Sequence, residues 1–93
     1  MFVLHKNMSV EWDERKRQEN LAKRGLDFAD VPALEWPWAR VLEDTRKTYP
    51  ERRYWAFVPK GARLYQVTFC WRGRNVRVIS FREASRKERQ LYG

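Results

Sequence analysis

Ninety-three residues give room for one domain with one modest core, because a chain this short removes only about 60 to 65% of its unfolded surface from water on folding; a large internal active-site cavity is not expected. The single cysteine, Cys70, excludes an internal disulfide and a cysteine-based zinc site, and the single histidine, His5, adds little metal chemistry, so no staple, metal or other cofactor is expected. The net charge of +8 and a pI near 10.2 make a polyanion the natural partner, since each Lys or Arg that neutralises a phosphate releases condensed counterions.

The charge is segregated. Residues 1–51 hold nine Lys/Arg against ten Asp/Glu, whereas residues 52–93 hold eleven against two, Glu83 and Glu88. Such lopsidedness marks a binding face more often than a merely solvated surface. No run of about 18 apolar residues occurs, and residues 1–8 (MFVLHKNM) are too short an apolar stretch for a signal peptide. A cytoplasmic protein without a membrane segment is expected.

In chain order, residues 9–12 read as a short strand, and Asp13 as the N-cap of a helix over 14–24 that Gly25 stops. That helix, ERKRQENLAKR, has only Leu21 and Ala22 as clearly apolar positions and belongs on the outside. Asp27 then caps a second helix over 28–36, with Pro32 in its first turn and Pro37 as its end. Residues 40–44 read as a short strand, and 45–51 (TRKTYPE) as a loop. Three strands follow over 53–58, 63–71 and 75–82, with glycine-bearing separators of hairpin length, and a basic helix over 83–91 closes the chain. The expected fold class is α+β, with two N-terminal helices and a C-terminal helix packed on a small antiparallel sheet. No repeat, low-complexity tract or linker divides residues 1–93.

Alternation puts Tyr65, Val67, Phe69 and Trp71 on one face of the longest strand and Leu64, Gln66, Thr68 and Cys70 on the other. The heavier set belongs under the helices, which leaves the lighter set to a partner. On the last strand Val76, Val78, Ser80 and Arg82 alternate with Arg77, Ile79 and Phe81. Arg77 and Arg82 therefore point to opposite faces unless a bulge re-aims one of them.

Arginines 52, 53, 63, 72, 74, 77 and 82 lie on or beside strands, and Arg86, Lys87 and Arg89 follow them. The planar guanidinium makes two parallel bonds to phosphate, which suits a site that orients a phosphodiester as well as attracting it. Tyr54, Trp55, Tyr65, Trp71 and Tyr92 interleave with them. Such rings can stack bases, although core packing is the default reading for Trp55 and Trp71.

RNA is cleaved without a metal when its 2′-hydroxyl attacks the adjacent phosphate, provided the protein supplies a proton acceptor, a proton donor and positive charge on the phosphorane. Arginine supplies only the charge. Candidate proton carriers are Glu51, Glu88, Tyr49, Tyr92, Lys47 and His5. His5 lies in the leader with nothing near it in sequence to orient it. Glu88 reads as a member of surface helix pairs, and Glu51, beside two arginines at a loop-to-strand junction, is the better carboxylate. Cys70 in an apolar strand reads as inert core.

Three segments, VEWDERKRQENLAKRGLDFADV, DTRKTYPERRYWAF and VRVISFREASRKERQLYG, together resemble the BrnT family, toxins of type II toxin-antitoxin systems with a RelE-like ribonuclease fold. The resemblance runs over residues 10–93. It implies a metal-independent endoribonuclease that inhibits translation by cutting RNA. It also implies a cognate ribbon-helix-helix antitoxin, BrnA-like, that silences the toxin and binds operator DNA, with a heterotetramer as the expected assembly. The family signature falls on Asp44, Arg46, Glu51, Arg53, Arg77, Ser80, Arg82, Glu88 and Tyr92.

From these, Arg53, Arg77 and Arg82 are the expected phosphate-binding, charge-stabilising residues, and Glu51 or Tyr92 the proton carrier. Arg46, Lys47, Arg63, Arg74, Arg86 and Arg89 are expected to hold the RNA around them. The chain departs from the family pattern at Pro50 and at Val58-Pro59, where glycine is common, and at Arg24, where many members carry histidine. Residues 1–8 are extra, and Met8 is an alternative start. The same charge would also serve a non-catalytic RNA-binding or antitoxin-docking module.

Overall fold

The computed structural model describes residues 8–93; His5 lies outside them. The described chain begins with strand β1 (Val10–Trp12) and helix α1 (Glu14–Arg24). Asp13 caps α1 by accepting from the Arg15 and Lys16 N–H groups, and Gly25 ends it in the left-handed region at φ 71°, where a side chain would be strained. No residue of α1 is buried. It is tied down by polar contacts: Arg17 grips Asp27 at 2.8 and 2.9 Å, and the Asn20 amide pairs with both the N–H and the C=O of Phe81.

The second N-terminal helix expected over 28–36 does not form as an α-helix. Phe28–Ala33 and Trp36–Trp38 are two 3-10 turns, the first capped by Asp27. Counted from Phe28, Pro32 is the fifth helical residue, past the four N–H groups that an α-helix leaves free, and Pro37 removes a further donor. The tighter turns still do the packing expected of a helix. Phe28, Val31, Leu34 and Trp36 are buried, and the Trp36 indole donates to the Val31 carbonyl at 2.8 Å.

The sheet is larger than expected, and it is mixed. Strands β2 (Arg40–Asp44), β3 (Arg53–Lys60), β4 (Arg63–Arg72) and β5 (Asn75–Glu83) form an antiparallel meander. β1 adds to the far edge of β5 in parallel, Val10 opposite Val76 and Trp12 opposite Val78, which gives the order β1-β5-β4-β3-β2. The expected arrangement of three helices on a small antiparallel sheet is thus corrected to a five-stranded mixed sheet. One face is covered mainly by 3-10 turns. A lone short helix, α2 (Arg86–Tyr92), lies at the chain's end.

The last helix also starts later than the sequence suggests. Ala84 is buried and its N–H extends the ladder to the Leu64 carbonyl at 2.9 Å, and Ser85 and Glu88 then close a capping box.

The main core lies on the covered face, where the 3-10 residues meet Ala56, Val58, Val67, Phe69, Val76, Val78 and Phe81. On the other, open face a small second cluster of Phe57, Leu64 and Ala84, flanked by Trp55 and Tyr92, seats α2. The register of β5 against β4 shifts by one residue, Thr68 opposite Ser80 but Phe69 opposite Val78, so Ile79 is an added residue. This bulge lets Val76, Val78 and Phe81 all enter the core while Arg77, Ser80 and Arg82 all take the open face.

Candidate nucleic-acid interface and active site

The ladder arranges the open face in rows spaced about 7 Å along the strands. Leu42, Trp55, Thr68 and Ser80 make one row, and Arg40, Phe57, Gln66 and Arg82 the next. On the other side of the Trp55 row lie Asp44 opposite Arg53 and Cys70 opposite Arg77, with Glu11 beyond Arg77. Arg53, Arg77 and Arg82 therefore share a face but do not converge. Arg82 stands two rows, about 13 Å, from the other two.

A cleft of about 320 Å³ occupies the middle rows, floored by Trp55, Gln66, Thr68 and Ser80 and flanked by Arg46 on one side and by Arg82 with Glu88 on the other. The Thr68 hydroxyl donates to Gln66 Oε1 at 3.2 Å, which fixes how the floor presents its polar atoms. Arg82 Nη1 and Nη2 donate to the two oxygens of Glu88 at 2.7 and 2.8 Å. That pair holds the Glu88 carboxyl at about 2, against an ordinary 4.5, and raises Arg82 further. A carboxylate so acidic is a poor proton acceptor near neutral pH. Its geometric effect is to aim Arg82.

Arg46 is positioned from the other side by Asp44. The buried Asp44 carboxylate, 4% exposed, accepts from Arg46 Nε at 3.0 Å and Nη2 at 3.1 Å, from the Arg46 backbone N–H at 3.1 Å and from the Tyr49 hydroxyl at 3.0 Å. The Arg46 side chain bonds, above all, hold Asp44 at about 2. Arg46 then stacks over Trp55 at 4.5 Å, and Arg53 over Tyr49 at 4.3 Å. Loop 45–51 is thereby pinned over the end of the sheet.

The remaining residues singled out in the sequence are spread around this centre. Arg77 bonds Glu11 at 2.9 Å. Glu51 lies outside the lining of the cleft and bonds Arg72 at 3.0 Å. Burial pushes the Cys70 thiol up, and Glu51 beside it adds to the effect. Tyr92 stacks on Phe57, ring centroids 4.2 Å apart, in the row next to Trp55. Neither Glu51 nor Tyr92 lines the central cleft. Lys47 lies in the pinned loop, its Nζ 5.9 Å from the Tyr49 ring centroid. Arg74 is exposed at the β4–β5 turn and Arg86 at the start of α2. Arg63 bonds Glu83 at 2.9 Å, and Arg89 donates to the Ala84 carbonyl at 3.1 Å.

Trp55, Gln66 and Thr68 were not among the expected site residues, although the sequence placed Gln66 and Thr68 on the face left to a partner and gave Trp55 as a ring that could stack a base, with core packing as its default. Trp55 has the size of a core residue, and only its place under Arg46 gives it another role. The bulge at Ile79, which unites Arg77 and Arg82 on one face, was visible only as a conditional.

A shallow basic cleft with an aromatic floor, two guanidinium groups held in fixed orientations and a proton-poor carboxylate is chemistry suited to a phosphate diester. Residues 12–88 match the family described as ribonuclease toxin, BrnT, of type II toxin-antitoxin system, and the chain belongs to that family. No curated protein matches the chain. The resemblance read from the three sequence segments is borne out. The protein is a ribonuclease toxin, with RNA as substrate and an antitoxin as partner. No helix among the described residues is long and apolar enough to cross a membrane.

Proposed function

We propose that the toxin cleaves RNA endonucleolytically without a metal ion, by attack of the ribose 2′-hydroxyl on the adjacent phosphate in the cleft between Arg46 and Arg82. The observation that carries this reading is that pair of guanidiniums, one fixed by Asp44 and the other by Glu88, facing each other across Trp55, Thr68 and Ser80. They supply the charge stabilisation that a metal ion would otherwise give the phosphorane. Arg53 and Arg77, one row away, bind the neighbouring phosphate, and Lys47, Arg63, Arg74, Arg86 and Arg89 hold the strand on either side. As the 2′-oxygen bonds the phosphorus, the bond to the 5′-oxygen breaks, leaving a 2′,3′-cyclic phosphate and a 5′-hydroxyl end. The proton lost by the 2′-hydroxyl and the one gained by the departing 5′-oxygen pass through Glu51 or Tyr92, brought to the cleft by RNA binding, or through water.

The activity serves translation inhibition in the cytoplasm, and the antitoxin is a BrnA-like ribbon-helix-helix protein that forms a heterotetramer with the toxin on operator DNA. Family membership supports this part of the reading.

The test is digestion of a long end-labelled RNA in EDTA by wild type and by a folded Arg82→Ala variant. Cleavage by wild type alone, leaving 5′-hydroxyl ends, is expected. RNA that stays intact in EDTA and is cut only when a divalent ion is restored would overturn metal independence.

A further inference from the structure

Beside the central cleft, on the same open face, a second cleft of about 380 Å³ runs between α2 and the β3–β4 turn. Its walls include Trp38, Tyr92 and three arginines, Arg40, Arg63 and Arg89, and no Asp or Glu side chain lines it. Trp38 is 76% exposed, an expensive way to use the largest apolar side chain. It is nevertheless held in place. Its neighbour Trp36 is buried, Pro37 stiffens the link between them, and the Trp38 N–H donates to the Glu35 carbonyl at 3.1 Å. Glu35 in turn is tied to the hairpin, accepting from the Gly61 N–H at 2.8 Å. A rigid platform loses little freedom when a flat ligand settles on it.

We infer that this second cleft is a subsite for an unpaired base of the RNA, stacked on the Trp38 indole with its backbone phosphate held by Arg40 and Arg89. The inference rests on the ribonuclease reading above and names its substrate as single-stranded at this position. Three features favour RNA over an acidic peptide. The cleft combines a planar ring with guanidinium groups, the pairing that binds single strands irrespective of sequence. Arg40 is exposed and bonds no acceptor among the described residues. Arg40 also stands in the same row as Phe57, Gln66 and Arg82, so a strand leaving the central cleft passes directly into the second one. Paired bases could not offer a face to Trp38 without leaving their stack.

The test uses the full chain with Trp38→Ala and Trp38→Phe, both at an exposed site that leaves the core intact. The probes are a short unstructured RNA and its all-2′-deoxy analogue, which binds without being cut by 2′-hydroxyl attack. Trp38→Ala should weaken binding of both probes about fivefold, the low end for loss of one stacked base, and should raise KM by a similar factor while kcat stays within about twofold. Trp38→Phe should recover most of the loss.

Wild-type affinity and KM in Trp38→Ala would overturn the subsite. If that variant instead escaped the antitoxin, the cleft would be assigned to the partner protein. Trp38-dependent binding of the 2′-deoxy probe by a wild type that cuts no RNA would uphold the subsite and count against the cleavage reading alone.

Discussion

Glu88 holds Arg82 through two parallel bonds of 2.7 and 2.8 Å, and the same carboxylate accepts from the Ser85 N–H at 2.8 Å. One side chain thus caps α2 and aims a guanidinium over the cleft, so the helix end and the site are set by a single group. The two functions separate on substitution.

Arg82→Ala removes charge from the phosphorane and should lower kcat by about a hundredfold, the usual loss for one oriented stabiliser. Arg82→Lys, which keeps the charge but not the fork, should recover only part of it. Glu88→Gln leaves Arg82 charged but unaimed and should cost on the order of tenfold in kcat/KM, together with about 1 kcal/mol of stability from the weakened cap. Initial rates on a fluorogenic RNA and thermal melts measure both effects. A Glu88→Gln enzyme as fast as wild type would remove the positioning role.

The bulge in β5 makes a sharper prediction because it concerns alternation itself. Deleting Ile79 restores a strict two-residue period in which Val76, Val78 and Phe81 still face the core and Arg77, Ser80 and Arg82 still take the open face. A deletion variant that still gives a cooperative melt by circular dichroism is therefore expected, and loss of that melt would mean that the local bend and twist of the bulge are themselves required. Ile79→Ala keeps the count, is half-buried in the wild type, and should fold with a loss of about 1 kcal/mol.

Much of this arrangement was legible in the residues, for identifiable reasons. Asp13 and Gly25 bracket α1 because caps act locally, and the heavy face of β4 was assigned correctly because alternation is a local pattern too. The 3-10 turns were read as a helix because the spacing of Phe28, Val31 and Leu34 is nearly helical; the deciding fact is the count from Phe28 to Pro32. β1 is three residues long and pairs with residues more than sixty positions away, so nothing near it in sequence announces a parallel edge. In the site, arginine enrichment was plain from composition. The division of labour was not, since Glu88 and Asp44 are ordinary carboxylates until their partners are known, and Trp38 is told from a core tryptophan only by its exposure.

Asp44 ties the loop to the sheet, and its effect on stability should depend on pH with a definite sign. Its folded value of about 2 lies below the ordinary 3.8, so the contribution is fully present above about pH 4 and is lost as pH falls toward 2. Asp44→Asn should therefore melt below wild type at neutral pH, and the gap should close between pH 4 and 2. A gap that stays constant across that range would mean that the charge on Asp44 contributes nothing.

The spread of arginines over the open face predicts how binding responds to salt. Each phosphate contact to a single strand contributes about 0.7 to the slope of log affinity against log salt. Arg53→Ala and Arg77→Ala should each lower the slope by roughly that amount, and the double variant by about twice as much, since the two residues sit in one row without sharing a partner. Arg77 also has to leave Glu11 to reach a phosphate, so Glu11→Gln should strengthen RNA binding at low salt and leave the slope as steep or steeper. Anisotropy titrations of the 2′-deoxy probe at several salt concentrations read all four proteins without interference from cleavage. A slope unchanged by Arg53→Ala and Arg77→Ala together would confine the RNA to the two clefts flanking Gln66 and Arg82, away from the row that begins at Asp44.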